Sequence, residues 1–229
     1  MKESIVFTLF IFLLLGCASI QPLDGGDKDV TPPVVLKSYP DSASLNVTGT
    51  EFSFEFDEYI KLKNPNNVFI ISPSQKNNPD FKIKGKKLFI TLNDSILPLT
   101  TYSFQFNGGV VDLNESNPLQ DYQYIYSTGP YLDSLQLKFK VLNYQTKKPC
   151  SKCKLQLYYT NNDSAILHAK PAYEGFANDL GHVQLNNLSD TTFYAYAILD
   201  ENNNFTLEAE ELISLQKPIT TSLNDTSYT

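Results

Sequence analysis

The strongest constraint on the fold is a segment in which large apolar and polar side chains alternate without a break. Residues 51–56 read Glu-Phe-Ser-Phe-Glu-Phe, which places three phenylalanines on one side and polar side chains on the other. This period of two predicts a strand with one buried face, because successive side chains of a strand point to opposite faces. Further short strand-like segments lie at 34–39, 68–71, 81–84, 87–92, 101–106, 122–126, 135–141, 155–159, 182–185 and 193–199. With no convincing run of helical period, the chain is predicted to be all-β.

Composition supports this fold class and excludes one class of partner. The chain has 14 Tyr and 15 Phe but no Trp, and aromatic residues interleaved with Thr, Ser, Asn and Pro favour strands and turns. Its net charge is −7. Binding to nucleic acid depends on clustered cationic side chains at the phosphates, so we expect no nucleic-acid partner.

The first sixteen residues have the dimensions of a cleaved export signal. An apolar run from Ile5 to Leu15 is too short to span a bilayer, which takes roughly 20 apolar residues in a helix. It ends in Leu14-Leu15-Gly16-Cys17, which resembles the bacterial lipobox. The resemblance implies cleavage before Cys17 and acylation of its thiol, and two or three acyl chains make such an anchor stable. We therefore expect residues 1–16 to be a lipoprotein signal peptide and Cys17 to be lipidated.

A polar segment separates the anchor from the first predicted strand. Residues 17–31 contain paired glycines and lack alternation, so we expect a flexible tether with a root-mean-square reach of roughly 20 Å. Bacteroidota lipoproteins at the cell surface usually carry acidic residues directly after the acylated cysteine, whereas residues 18–22 are neutral here. We expect an outer-membrane lipoprotein that faces the periplasm rather than the cell surface.

The remaining chain is long enough for two domains of about 100 residues each. Some seven short strands in residues 32–130 predict a β-sandwich of immunoglobulin type. Residues 131–229 predict a second small β-sandwich. No clear strand closes this second unit before Thr229, so we expect it to be incomplete.

Several local stretches carry a resemblance to known families. They lie at 25–29, 31–33, 56–60, 100–102, 112–117 and 126–129 in the first unit, and at 146–149, 178–188 and 197–204 in the second. On the first set, residues 32–130 resemble the bacterial Ig-like domain of the S-layer (SbsA) type, as found in Bacteroidota lipoproteins. On the second set, residues 131–229 are similar to transthyretin-like or carboxypeptidase-regulatory-like sandwiches. These resemblances imply no enzymatic activity and no catalytic residues.

One acidic loop near the C-terminus is a candidate calcium site. Asp200, Asn202 and Asn204 occupy positions 1, 3 and 5 of the loop, and Glu211 occupies position 12. Calcium binds six to eight oxygens from such a compact loop. However, Phe205 stands where a calcium loop needs glycine and a predicted strand precedes the loop, so a plain asparagine-rich turn is the alternative. We expect no cofactor other than this calcium ion.

Cys150 and Cys153 lie in a predicted turn between strands. Redox chemistry of the thioredoxin type needs such a pair at a helix N-terminus, and an oxidising periplasm favours a disulfide. We expect a disulfide, with free thiols as the first alternative. The second is a zinc site completed by His168 and His182, whose spacing matches no zinc finger.

Short Asp-Ser/Thr-apolar motifs are typical of O-glycosylation acceptors in Bacteroidota, but they also form plain turns. They start at Asp41, Asp94, Asp133, Asp163 and Asp190.

No nucleophile elbow, phosphate-binding glycine loop or paired histidine is present in the sequence. We therefore expect a non-enzymatic binding or scaffolding lipoprotein whose partners are the membrane and other outer-membrane or envelope proteins. A glycan-binding or hydrolase-accessory surface lipoprotein is the alternative, and a structural spacer is a third possibility. Clustered exposed Tyr and Trp on one sheet face would favour the glycan-binding alternative, and the absence of Trp from the chain counts against it.

Overall fold

The computed structural model describes residues 27–151, 153–161, 166, 169–199, 211–214, 217–221 and 226–228. Within these ranges the chain forms seventeen strands and one short helix. The first half contains Val35–Tyr39 (β1), Glu51–Phe56 (β2), Ile60–Leu62 (β3), Pro65–Val68 (α1), Ile70–Ser72 (β4), Asp80–Lys84 (β5), Lys87–Thr91 (β6), Thr101–Gln105 (β7), Val110–Asp112 (β8) and Gln123–Ser127 (β9). The second half contains Leu135–Lys140 (β10), Cys153–Tyr158 (β11), Tyr173–Phe176 (β12), His182–Leu188 (β13), Thr192–Leu199 (β14), Leu212–Ile213 (β15), Lys217–Thr220 (β16) and Thr226–Tyr228 (β17). The predicted all-β fold class is confirmed.

The first half is a sandwich of two antiparallel sheets with an aromatic core. Strands β1-β2-β6-β5 form one sheet and β4-β7-β9 the other, while β3 and β8 pair beside them. The alternation in β2 buries its three phenylalanines against the second sheet. The Phe52 ring centroid lies 4.9 Å from that of Phe104 and 4.7 Å from that of Tyr126. Phe54 packs at 5.1 Å on both Phe106 and Tyr124. Aromatic edge-to-face contacts of this kind add to the free energy gained by burial alone.

Two parts of this sandwich differ from the sequence prediction. The predicted strand over 68–71 is present only from Ile70 onward, as β4. Val68 instead ends α1, because Pro65 stands at the first helical position, where its fixed φ favours a helical turn. Strands β3 and β8 were missed. Each is only three residues long, and neither is long enough to show an alternating pattern.

The second half is also a two-layer structure. Strands β13-β10-β17 form one sheet and β12-β11-β14-β15 the other, with β16 also paired to β14. Between them lies a core that includes Leu137, Leu157, Leu188 and Phe193, each fully buried. Near the C-terminus, β16 pairs with β14 and β17 pairs in parallel with β10. The sequence pattern predicts neither strand, because they are only three or four residues long.

The first sandwich has two distinct ends. At one end, here called the entry end, Val34 accepts a hydrogen bond from the Asp57 amide, and Asn117 donates to the carbonyl of Asp29. At the other, the junction end, β7 begins at Thr101 opposite Ser127 of β9. The chain therefore enters the sandwich at one end and leaves it at the other.

The second sandwich is joined to the junction end by hydrogen bonds. The Asp133 amide donates to Oγ1 of Thr101 at 2.7 Å, and Nδ2 of Asn187 donates to the Asp133 carbonyl at 2.9 Å. The Ser74 amide donates to the carbonyl of Ala172 at 3.2 Å. Thr101 and Ala172 are buried at this joint, and the two sandwiches stand end to end.

Candidate functional site

The predicted lipidation and calcium residues lie mostly outside the described part of the chain. Cys17, Asp200, Asn202 and Asn204 are not among the described residues. Glu211 is described, one residue before β15, and it is half-buried. Among the described residues no group of three His, Cys, Asp or Glu side chains is placed to hold a metal ion. The lipidation and calcium sites stay predictions.

Cys150 and Cys153 form a disulfide, with Cα atoms 5.4 Å apart. Both residues are buried in the core of the second sandwich, at 5% and 6% exposure. The bond closes the turn that leads into β11. His182 is exposed on β13, while His168 lies outside the described residues. The disulfide occupies both sulfurs, so these cysteines hold no zinc ion in this structure.

Asp112 organises the loop that the sequence presents as a polar cluster. Its carboxylate accepts hydrogen bonds from the amides of Glu115, Ser116 and Asn117 at 2.6, 2.9 and 2.7 Å. Burial opposes its ionisation, but these backbone donors outweigh burial and hold the pKa of Asp112 below its usual 3.8. The role of this carboxylate is structural, because its lone pairs are directed at backbone amides of its own loop.

Strand β11 presents a buried polar cluster on the face away from the core. Nζ of Lys154 lies 2.8 Å from Oε2 of Glu174, and the lysine side chain is only 7% exposed. The Tyr158 hydroxyl donates to Oε1 of Gln156 at 2.9 Å, and burial raises the pKa of Tyr158 above its usual value. The strand pattern alone suggests that these side chains face water. Ile166, which packs over Tyr158 and Tyr196, is part of what covers that face.

This cluster has the composition of a catalytic site but lacks access. A lysine can act as a nucleophile or base only when a substrate reaches its nitrogen. The Lys154 ammonium is paired with a carboxylate and nearly excluded from solvent. We assign it a structural role as a buried ion pair.

The outer face of the β1-β2-β6-β5 sheet carries lysine, carboxylate and exposed aromatic side chains. Pairing aligns its outward side chains in rows that run across the strands. One row contains Lys82, Phe89, Ser53 and Tyr39, and the next contains Lys84, Lys87, Glu55 and Lys37. We call the six residues Lys37, Tyr39, Lys82, Lys84, Lys87 and Phe89 the lysine–aromatic face.

The two aromatic rings of this face are open to solvent. Tyr39 is 73% exposed and Phe89 is 37% exposed. The other exposed tyrosines of the described chain, Tyr59, Tyr131, Tyr144 and Tyr159, lie outside the strands. Most of this face is predictable from the sequence, because alternation in two strands places four of its residues on the outward side. These residues are Lys82, Lys84, Lys87 and Phe89. Only the register shows that Tyr39 joins them.

The predicted glycosylation motifs fall at the surface. Ser42, Ser95 and Ser134 are exposed and lie in connecting segments, whereas Thr191 is half-buried. The motif at Asp163 lies outside the described residues. The described chain also contains no helix with the length and apolar character needed to cross a membrane.

The first sandwich matches the model of a known family. Residues 29–128 match the family model of the bacterial Ig-like domain, which confirms the predicted Ig-like resemblance for this part of the chain. The transthyretin-like resemblance of the second sandwich stays a prediction. No curated protein sequence matches the chain.

Several solved structures are similar to parts of this chain. An L,D-transpeptidase from Mycobacterium smegmatis is 10% identical, with 55% of this chain and 60% of that chain covered and a TM-score of 0.31. BcpA, the major pilin subunit of Bacillus cereus, is 10% identical over 86% of this chain and 69% of the pilin, with a TM-score of 0.29. The N-terminal part of the S-layer protein SbsC is 12% identical over 80% of this chain and 43% of that chain, with a TM-score of 0.30. This chain thus spans less than two thirds of the transpeptidase and S-layer chains, and similarity at this level carries no functional argument.

Proposed function

We propose, from the premise that residues 29–128 form a bacterial Ig-like domain, that this chain is a non-enzymatic binding or scaffolding lipoprotein of the outer membrane. In this proposal acyl chains on Cys17 hold it to the membrane of a Bacteroidota cell, on the periplasmic side. The Ig-like sandwich then lies next to the membrane, and the second, transthyretin-like sandwich extends away from it.

One structural observation carries the proposal. The chain enters the Ig-like sandwich at the end opposite the joint with the second sandwich. An anchor attached through the tether of residues 17–31 therefore leaves the second sandwich and the sheet faces of both domains accessible to partners. Sandwich domains present loops and sheet faces in this way when they serve as binding modules. The inaccessibility of the Lys154 ammonium supports a role without catalysis.

The anchor is tested by labelling cells that express the full chain with tritiated palmitate. We expect label in the wild-type chain and a complete loss in Cys17→Ala, which should also move from the membrane fraction to the soluble fraction. The double variant Cys150→Ala/Cys153→Ala is the matched control and should keep its label. An unlabelled wild-type chain, or a Cys17→Ala variant that stays on the membrane, contradicts the proposal.

The binding role is tested by mild crosslinking of intact membranes. We expect the wild-type chain to be recovered with one defined set of envelope proteins, and the released Cys17→Ala variant to be recovered without them. A wild-type chain that is crosslinked only to itself or to no protein contradicts the role as a binding module and favours a structural spacer.

A further inference from the structure

We propose that the entry end of the Ig-like sandwich touches the lipid surface directly, through exposed apolar side chains beside the point where the chain enters. These side chains are Val30, Val34, Tyr59 and Leu113, and we call them the entry patch. The contact rests on the lipid anchor proposed above. It adds a second attachment to the membrane, made by the folded domain itself.

Exposure and hydrogen bonding place the four side chains in one region. They are 76%, 53%, 58% and 49% exposed, in chain order. The Leu113 amide donates to the carbonyl of Tyr59 at 2.9 Å, and the Asp57 amide donates to the carbonyl of Val34 at 3.1 Å. Val30 follows the residue whose carbonyl accepts a hydrogen bond from the loop after Leu113. Single exposed apolar side chains are ordinary at a protein surface, whereas a group of neighbouring ones marks a contact.

The tether identifies what this patch meets. Asp29 lies twelve positions after Cys17, and a flexible chain of that length has a root-mean-square reach of roughly 20 Å. Asp29 is bound at the entry end of the sandwich. An acylated Cys17 therefore keeps this end, and not the junction end, beside the lipid headgroups.

The anchor also makes a small patch sufficient. The membrane affinity of an apolar surface scales with the area that it buries, and four side chains bury too little to hold a free protein on a bilayer. Attachment through Cys17 turns the contact into an intramolecular one, with an effective concentration in roughly the millimolar range for a short flexible linker. A contact that is weak in isolation is then formed on the anchored chain.

The patch and its neighbours are of the kinds found at a membrane–water interface. Tyrosine is enriched at the headgroup level, because its ring is apolar and its hydroxyl is polar. Nζ of Lys86 lies 5.6 Å from the centre of the Tyr59 ring, and Nζ of Lys61 donates to the Leu113 carbonyl at 2.8 Å. Both lysines can keep their ammonium groups in the headgroup layer while the apolar side chains enter it.

Charge does not attract this end to an anionic surface. The segments that form it, residues 27–35, 55–70, 84–87 and 105–123, contain eight carboxylates and six lysines, a net charge of −2. The contact must therefore come from the apolar side chains. We expect it on zwitterionic lipid and expect anionic lipid to weaken it.

The carboxylates next to the patch are bound by the protein itself. Asp57 accepts a hydrogen bond from the Val34 amide at 2.8 Å, and Asp112 accepts three from the amides of its own loop. Burial and the neighbouring carboxylates raise the pKa of Glu58, which lowers the cost of bringing that side chain close to lipid.

A tryptophan reporter tests the contact, because the chain contains no tryptophan. The chain from Cys17 onward is coupled through the Cys17 thiol to a maleimide lipid in phosphatidylcholine vesicles, while Cys150 and Cys153 are protected by their disulfide. In Tyr59→Trp we expect emission at shorter wavelength and at least two-fold quenching by brominated phosphatidylcholine. Tyr144→Trp, at an exposed position of the second sandwich, is the matched control and should show neither.

Three results would overturn the contact. They are no quenching in Tyr59→Trp, equal quenching in the two variants, and a Tyr59→Trp spectrum that is equally shifted without vesicles. The last result would show that the protein itself covers the patch.

A second substitution and a change of lipid separate apolar contact from attraction by charge. Leu113→Asp, added to Tyr59→Trp, should abolish the quenching, whereas Leu180→Asp in an exposed turn of the second sandwich should leave it unchanged. Replacing part of the phosphatidylcholine with phosphatidylglycerol should not increase the quenching. Quenching that rises with phosphatidylglycerol and falls with added salt would assign the contact to charge and contradict the role of the apolar patch.

The maleimide link makes this outcome separable from that of the proposed function. A chain that takes up palmitate at Cys17 in cells but shows no quenching in Tyr59→Trp on vesicles overturns the patch contact alone. Quenching on vesicles without palmitate label in cells supports the patch contact and contradicts the proposed anchor.

Discussion

At the scale of single residues, the entry end of the Ig-like sandwich combines carboxylates that differ in their environment. Asp112 is held ionised by three backbone amides. Glu58 nearby has no such donors among its described hydrogen bonds, and burial, followed by repulsion from Asp112 and Asp57, raises its pKa above the usual 4.5. The Asp112 carboxylate thus organises the loop, and its negative charge helps to raise the pKa of the neighbouring Glu58 carboxyl.

This difference predicts a pH-dependent effect of Glu58→Gln. A carboxylate with a raised pKa in the folded state is protonated more readily there than in the unfolded state, so it lowers stability as pH rises above 4.5. We expect the variant to raise the melting temperature by about 1–3 °C at pH 7 and to have no effect at pH 3, where both states are protonated. Differential scanning calorimetry at the two pH values measures this. A gain of equal size at pH 3 would assign the effect to packing.

At the scale of elements, turn geometry sets where strands begin. Gly181 ends the turn before β13 with φ of +77°, and a Cβ atom at this position would lie 2.5 Å from the carbonyl oxygen of Val141. A left-handed φ and a close backbone contact both require glycine.

Gly181→Ala should therefore lower the free energy of unfolding by about 1–3 kcal/mol or more, from backbone strain at a non-glycine residue. Urea denaturation measures the change. Gly49→Ala is the control, because nothing lies within 4 Å of its added methyl group, and it should change stability by about 0.5 kcal/mol or less. Equal effects in the two variants would contradict a specific role for Gly181.

The elements also show what could be predicted from the sequence. Strand β2 was predicted over its full length, because alternation with phenylalanine leaves one burial pattern possible. The hairpin of β5 and β6 was predicted around Gly85, which has φ of +62°. Strands β3, β8, β16 and β17 are three or four residues long. They are defined by pairing with strands distant in sequence, so no local pattern identifies them.

The candidate site was less predictable than the fold. The alternation of β5 and β6 shows which lysines face outward, but Tyr39 joins Phe89 only through the register of β1 on β2, with Ser53 between them. The burial of Lys154 was not predictable either, because its pattern on β11 is that of a solvent-facing residue. In both cases the deciding information is a contact between distant segments.

At the scale of the whole molecule, the joint between the sandwiches rests on few hydrogen bonds. Thr101→Val keeps the shape of the side chain but removes the acceptor of the Asp133 amide. A buried donor left without a partner costs about 1–3 kcal/mol. We expect faster hydrogen exchange in residues 131–135 of the variant, while the cores of both sandwiches keep their protection. Thr91→Val on the outer side of β6 is the control, and unchanged exchange in Thr101→Val would contradict a role for this bond in the joint.

The end-to-end order of the two sandwiches also determines how the Ig-like domain responds to mechanical force. A pull between Asp29 and the second sandwich acts along β1 and β9, because β1 starts at the entry end and β9 finishes at the junction end. Hydrogen bonds between antiparallel strands lie perpendicular to the strands, so this load shears all bonds of a strand pair together and does not peel them apart one at a time. Because the domain is attached at these two points, the force acts along its strands, which is the direction in which the domain resists unfolding most.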